Sequence, residues 1–176
     1  MLSLIQSKNL NSNWGRLLGE TRSYTSRDRW KARVNAPEFI SKTVYLAGRL
    51  DTGEGDIASW AEELETRGHV VLEKWWEQGR LPKPYLEHMD SSQSAARAMI
   101  EAAARSDVMM LFPTDDILGA AVEFGAALGS VETNPKKEII IVNPWEVRQS
   151  VFYAHPAVTA VKGLAEVREM KWYKGL

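Results

Sequence analysis

Two short runs, VMMLF at 108–112 and EIIIV at 138–142, are apolar at almost every position. A strand with one wet face alternates apolar and polar residues, whereas a run with no polar side must be covered on both faces, as central parallel strands are. The first run ends at Pro113, and the second follows Asn134 and Pro135. A third β-rich run, TVYLA at 43–47, closes at Gly48, a residue that lets the backbone turn or approach a neighbour closely. HVVLEKWW at 69–76 supplies a second strand, or most of one, and 158–161 a weaker fifth.

The segments between these runs have the other period. Ile57, Trp60, Ala61 and Leu64 recur at helical spacing over 57–67, with Gly68 as a C-terminal stop. An alanine-rich helix is predicted over 91–105, with Asp90 and the serines at its start as cap candidates. A small-residue helix follows the 108–112 strand, and a last helix occupies 164–170. Strand and helix alternate throughout, which predicts a single doubly wound α/β domain over 41–176 with right-handed crossovers. The expected five-stranded parallel sheet has the flavodoxin-like, Rossmann-like order 2-1-3-4-5. Residues 1–40 are polar, show neither period, and are expected to form an irregular or partly helical arm, with Trp14 and Trp30 as its anchors. The connection 77–89 carries Gly79, Pro82 and Pro84; loops of this length within compact domains often bind or cover ligands.

Composition narrows the function. Twenty-two basic against twenty-three acidic residues leave a net charge of −1, which does not favour a nucleic acid polymer as partner. Without cysteine there are no disulfides, thiolate metal sites or thiol nucleophiles. His69, His88 and His155 lack a metal-ligand spacing, and GRLDTGEG lacks the glycine order of a dinucleotide site, so neither metal nor cofactor is expected. The first fifteen residues break their apolar character with Gln6 and Lys8, far short of a secretory core or a membrane span. The expectation is a cytoplasmic protein that does not enter membranes.

In a 2-1-3-4-5 sheet the strand order reverses between strands one and three, and ligands bind beyond the carboxyl ends there. Residues 45–49 and 115–123 are therefore expected to face one another across a crevice. Between the third strand and its helix stand Asp115 and Asp116, and the helix carries Glu123 near its start, where the positive end of the helix dipole favours an ionised carboxylate. Glu123 is the candidate nucleophile, against the plainer reading of a solvated helix glutamate. Asp115 and Asp116 divide between site and helix cap, one expected in each role. Tyr45 is either a core aromatic or a partner that holds Glu123. Trp75 or Trp76 could stack on a flat ligand, against the commoner role of packing anchor; Arg49 could meet a phosphate, against that of a surface arginine; Gly48, Gly119 and Gly125 permit close approach.

YLAG at 45–48 followed by GAAVEFGAALG at 119–129, after an apolar strand and an acidic loop, resembles the nucleoside 2-deoxyribosyltransferase family and its relatives that hydrolyse the N-glycosidic bonds of nucleotides. The resemblance implies that Glu123, the glutamate of a Gly-x-x-x-Glu-x-Gly pattern, is the nucleophile and that Tyr45 lies beside it. Asp116 would then serve the departing base, with Gly48, Arg49, Trp75, Asp115, Gly119 and Gly125 around the substrate. It further implies a small nucleoside or nucleotide substrate and a homo-oligomer in which a neighbouring subunit helps close the pocket. The chain departs from the family in two places. Met99 stands where a sugar-contacting acid is usual, and Asp116 precedes Glu123 by one residue more than the pattern has. A non-catalytic nucleotide-binding module of the same fold is the alternative.

Overall fold

The computed structural model describes residues 38–48, 57–79 and 81–176. The expected arm lies outside them up to residue 37, as does Arg49. Glu38–Leu176 forms one compact unit. Residues 38–40, assigned above to the arm, belong to it: Ile40 N–H bonds the Gly175 carbonyl at 3.1 Å, and the Phe39 ring lies 5.1 Å from that of His69.

The elements follow the predicted alternation. β1 (Thr43–Gly48), α1 (Ile57–Thr66), β2 (Val70–Leu72), α2 (Met89–Arg105) and β3 (Val108–Phe112) come first, then α3 (Leu118–Gly129), β4 (Glu138–Val142), β5 (Val158–Val161) and α4 (Leu164–Arg168). Five parallel strands lie in the order β2-β1-β3-β4-β5, the flavodoxin-like arrangement. Every residue of β3 is buried, as its unbroken apolar run requires.

Strand parity divides the core into two layers. Val44, Leu46, Val108, Met110 and Ile140 point to the face covered by α1, α4 and the C-terminal Trp172 and Tyr173. Tyr45, Ala47, Met109, Leu111 and Ile139 point to the opposite face, under α2 and α3. A fully buried side chain of this size stabilises the fold by about 1.5–3 kcal/mol, so a one-residue slip in any central strand would exchange both layers at once.

The amino edge of the sheet is tied by polar groups. Asp107 accepts bonds from the Thr43 backbone N–H (2.9 Å) and hydroxyl (2.8 Å). Burial alone would raise the Asp107 carboxyl, but these bonds outweigh it and hold it below its usual range. The buried Lys137 ammonium donates to the Ala103 carbonyl at 2.8 Å and to the Ala104 carbonyl at 3.2 Å, taking up acceptors left over at the end of α2.

Three local expectations are corrected. β2 stops at Leu72 rather than running toward Trp76, because Glu73 takes a left-handed φ of 46° and the chain turns, Trp75 N–H bonding the Glu73 carbonyl at 2.8 Å. α2 begins two residues early, and its N-cap is His88 with no side-chain cap bond. Asp90, Ser91 and Ser92 are thus inside the first turn, where the Ser91 hydroxyl instead donates to the His88 carbonyl at 3.1 Å. α4 closes at Arg168, short of residue 170.

The C-terminus docks on α1 through Glu63. Arg168 donates to both its carboxylate oxygens at 2.8 Å, and the Tyr173 hydroxyl donates to it as well. Arg168 is the main cause that brings the Glu63 carboxyl down to about 2. A carboxylate depressed in the fold contributes stability that is complete above its unfolded value and is lost as the pH falls through the folded one. Acid should therefore weaken the wild type between about pH 4.5 and 2 more steeply than Glu63→Gln. Because the pair is partly solvent-exposed, the difference is about 1 kcal/mol or less. Urea melts of the two proteins at pH 7 and pH 3 measure it, and parallel pH profiles would refute it.

Candidate functional site

The crevice forms where the strand order reverses. β1 and β3 pair in register from Val44 against Val108 to Gly48 against Phe112. Beyond that last pair lies a cavity of about 190 Å³. Gly48 from β1, Asp116 and Ile117 from the loop after β3, and Gly119, Ala120 and Glu123 from α3 line it. Trp75 and Met99 close the remaining side.

α3 explains why an acid sits there. Its core-facing residues are Ala120, Glu123, Phe124 and Ala127, the spacing of one helical stripe, so Glu123 occupies a position that the pattern reserves for an apolar side chain. The residue is only 9 % exposed, and what exposure remains is toward the cavity. Burial raises its carboxyl above the usual range, opposed by the nearby Tyr45 hydroxyl, which lowers it. The dipole expectation is corrected here: Glu123 lies in the second turn of α3, beyond the reach of a strong terminal effect, and desolvation wins.

Parity places Tyr45 on the α2 and α3 face, beneath that carboxylate. Its ring is wholly buried and is not part of the cavity wall. The hydroxyl meets no protein atom in regular hydrogen-bond geometry. It is nonetheless close enough to Glu123 that each alters the other's proton affinity. Burial, then the charge and hydrogen bond of Glu123, then the charge of Glu73, push the phenol far above its ordinary range, so it stays protonated and can only donate toward an anion. Tyr45 thus stands behind Glu123 and outside the cavity wall.

The other candidates separate. Asp116 is exposed at the cavity and lines it with Glu123. Asp115 neither lines it nor caps α3; it accepts the Arg148 backbone N–H at 3.0 Å and so fastens this loop to the β4–β5 connection. The N-cap of α3 is Ile117, without a side-chain bond, so the expectation that one of the two acids caps the helix does not hold. Gly119 lines the cavity with open space where a Cβ would project. Gly125 is exposed, is absent from the cavity wall and has no heavy atom within 4 Å of a Cβ position, so it serves no close approach within this chain. Trp75 lines the cavity and fixes its own plane by donating its indole N–H to the Leu46 carbonyl at 3.0 Å. Trp76 stands edge-on to it at 5.5 Å and packs on the core of the opposite face.

Sequence reasoning missed Ile117, Ala120 and the wall role of Met99. Met99 shares a helical stripe with the buried Ala95, Ala102 and Ala103, and that spacing is visible in the sequence. Glu73, whose charge reaches Tyr45 and whose carboxylate accepts from Gln78, gave no signal, because its left-handed backbone cannot be read from residue type. Among the described residues no group of three or more His, Asp or Glu is gathered as a metal would require. None of their helices is long and apolar enough to cross a membrane.

Together these groups form a partly desolvated carboxylate, backed by a phenol donor and open to a small cavity that also carries a wet aspartate. Such a pair can face a developing cation and exchange a proton with solvent. No model of a known protein family matches this chain, and no curated protein matches it.

Two substitutions probe the arrangement. A Cβ on Gly48, whose φ is 142°, would lie 2.4 Å from the Phe112 carbonyl oxygen. Gly48→Ala should destabilise the fold by about 3 kcal/mol, and an unchanged melting temperature would show that β1 and β3 are not in such contact. Tyr45→Phe removes the donor that lowers Glu123 and should move its carboxyl titration to higher pH, as carbon NMR of the glutamate side chain would report. A titration that stays in place would separate the two groups.

Proposed function

We propose that the chain cleaves or transfers at the N-glycosidic bond of a nucleoside or nucleotide, with Glu123 as nucleophile. The observation that carries this reading is the buried Glu123 carboxylate turned to the cavity between β1 and β3 and backed by Tyr45. Breaking the bond between a sugar's anomeric carbon and a base nitrogen builds positive charge on that carbon. Burial makes Glu123 more basic, hence a stronger partner for the cation, and the Tyr45 hydroxyl keeps the carboxylate aimed and available for ionisation.

In the proposed reaction a Glu123 oxygen bonds the anomeric carbon as the carbon–nitrogen bond breaks, and the electron pair leaves with the base. Asp116, exposed at the cavity, relays a proton from water to the base nitrogen. Water, or a second base, then attacks the anomeric carbon and releases the Glu123 carboxylate, while Asp116 carries away the proton of the attacker. The resemblance of 45–48 and 119–129 to the nucleoside 2-deoxyribosyltransferases supports the same assignment.

Met99 supports one second reading. Its side chain lines the cavity where the resemblance places a sugar-contacting acid, and a site lacking that contact suits a module that binds a nucleotide without turning it over. Incubating the protein with a panel of nucleosides and nucleotides and separating liberated base by chromatography distinguishes the two: saturable binding without product favours the module.

Glu123→Gln should lower base release roughly 10³-fold or more without loss of the fold. A carboxyl raised in the folded state binds its proton more tightly there, so its charged form costs stability as the pH rises from the unfolded value through the folded one. The variant should therefore melt at the same or a higher temperature than the wild type at pH 7. Base release at the normal rate from Glu123→Gln would end the proposal.

A further inference from the structure

The cavity at Glu123, about 190 Å³, is smaller than the roughly 300–1,000 Å³ of sites that enclose a whole small-molecule ligand. Trp75 and Met99, which wall it, also wall a second cavity of about 590 Å³. The rest of that lining comes from the 77–89 connection: Gln78, Gly79, Leu81, Lys83 and Tyr85. A molecule whose anomeric carbon stands at Glu123 fills the first space with its sugar and extends across Trp75 and Met99 into the second.

The second lining is selective in kind. Trp75, Tyr85, Leu81 and Met99 offer flat or apolar surfaces that suit the faces of a heterocycle, while a phosphate would give up its hydration against them. The polar groups among the described lining residues are few. Lys83 has only donors; it forms no ion pair among the described residues and sits 5.5 Å from the centre of the Tyr85 ring. No carboxylate is among the described lining residues. Gln78 spends an amide N–H on Glu73, which fixes the carboxamide and leaves its oxygen as an acceptor.

We propose, on the footing of the reaction above, that this second cavity is the base subsite and that Lys83 makes it select bases with an oxo edge, a ring N–H beside a carbonyl, as in uracil, thymine and hypoxanthine. The Lys83 ammonium donates to the exocyclic oxygen and the Gln78 oxygen accepts from the adjacent ring N–H. An amino base such as cytosine or adenine presents the reverse at the same place, its amine facing a donor and its bare ring nitrogen facing an acceptor. The cation also favours departure: the electron pair of the broken bond spreads onto the oxo oxygen, next to the Lys83 charge, until the proton arrives.

The test combines binding and turnover on the full chain. Free uracil, hypoxanthine, cytosine and adenine are titrated calorimetrically into wild type, Glu123→Ala, Lys83→Met and Tyr85→Leu, and base release is measured from the matching 2-deoxynucleosides. Oxo bases should bind wild type and Glu123→Ala about tenfold tighter than amino bases, the scale of one charge-assisted hydrogen bond. Lys83→Met should bring the two classes to within about twofold and lower kcat/KM for oxo substrates about tenfold, with amino substrates little changed. Tyr85→Leu should weaken both classes alike. Equal binding of the two classes to wild type, or a preference that survives Lys83→Met, overturns the proposal. So does inorganic phosphate that displaces uracil from wild type but does not bind Lys83→Met, since the lysine would then serve an anion. Oxo bases that bind as expected while no nucleoside is cleaved would remove the reaction and leave the subsite. Glu123-dependent cleavage without base preference would do the opposite.

Discussion

At the last pair of β1 and β3 the backbone of Gly48, with φ of 142°, would turn a Cβ into the neighbouring strand, 2.8 Å from the Phe112 Cβ and against its carbonyl, so only glycine fits there. The two central strands pair in register up to that point, and the register fixes their parity. Odd-numbered Tyr45 and Ala47 must then look toward α2 and α3, the even residues toward α1 and α4. The next connection out of β3 returns as α3 over the same face as Tyr45. A phenol and a helix carboxylate are thereby brought to one place by strand phase and topology, without any dedicated loop to hold them.

The cost of this placement falls on Glu123. Its stripe on α3 is otherwise Ala120, Phe124 and Ala127, and an apolar residue at 123 would bury without desolvating a charge. The cavity supplies partial hydration, and Tyr45 supplies a donor that stays protonated under all ordinary conditions because burial and two nearby carboxylates hold its proton. The hydroxyl lacks a well-formed bond, so the pair is not a fully satisfied internal network. It keeps a donor beside a carboxylate, and in the proposed reaction their interaction would tighten as charge develops in front of them.

The sheet was legible in the sequence because its signals are binary. VMMLF and EIIIV have no polar face, so only a sheet covered on both sides accommodates them, and the helical spacing between strands dictates parallel pairing. A crevice where the strand order reverses followed from topology, and Gly48 from β1 does meet Asp116, Gly119 and Glu123, with Trp75, at one cavity, although Tyr45 and Asp115 lie outside its wall. What failed depended on single dihedral angles or on competition among polar groups. Glu73 bends β2 off its course through a backbone conformation that a glutamate does not advertise. Asp115 had equal claims to cap α3 or to bind ligand, and instead took a backbone N–H from Arg148, thirty-three residues away, a partner no local pattern reveals. Gly125 repeated the motif spacing but lies two positions past Glu123, which on a helix is nearly the opposite side.

The early end of β2 has a larger effect than its few lost residues suggest. Continued as a strand, 73–76 would have carried Trp75 along the sheet edge beside β1. The turn at Glu73 instead brings the Trp75 indole N–H to the carbonyl of Leu46, so the ring is held at the carboxyl ends of the strands. Because that polar edge is already bonded, what the ring contributes to the linings of the small cavity with Glu123 and the larger one with Lys83 is apolar surface. The same turn leaves the Glu73 carboxylate where it accepts from Gln78 and where its charge is felt by Tyr45. One left-handed backbone angle at Glu73 thus sets where Trp75, a wall of both cavities, stands.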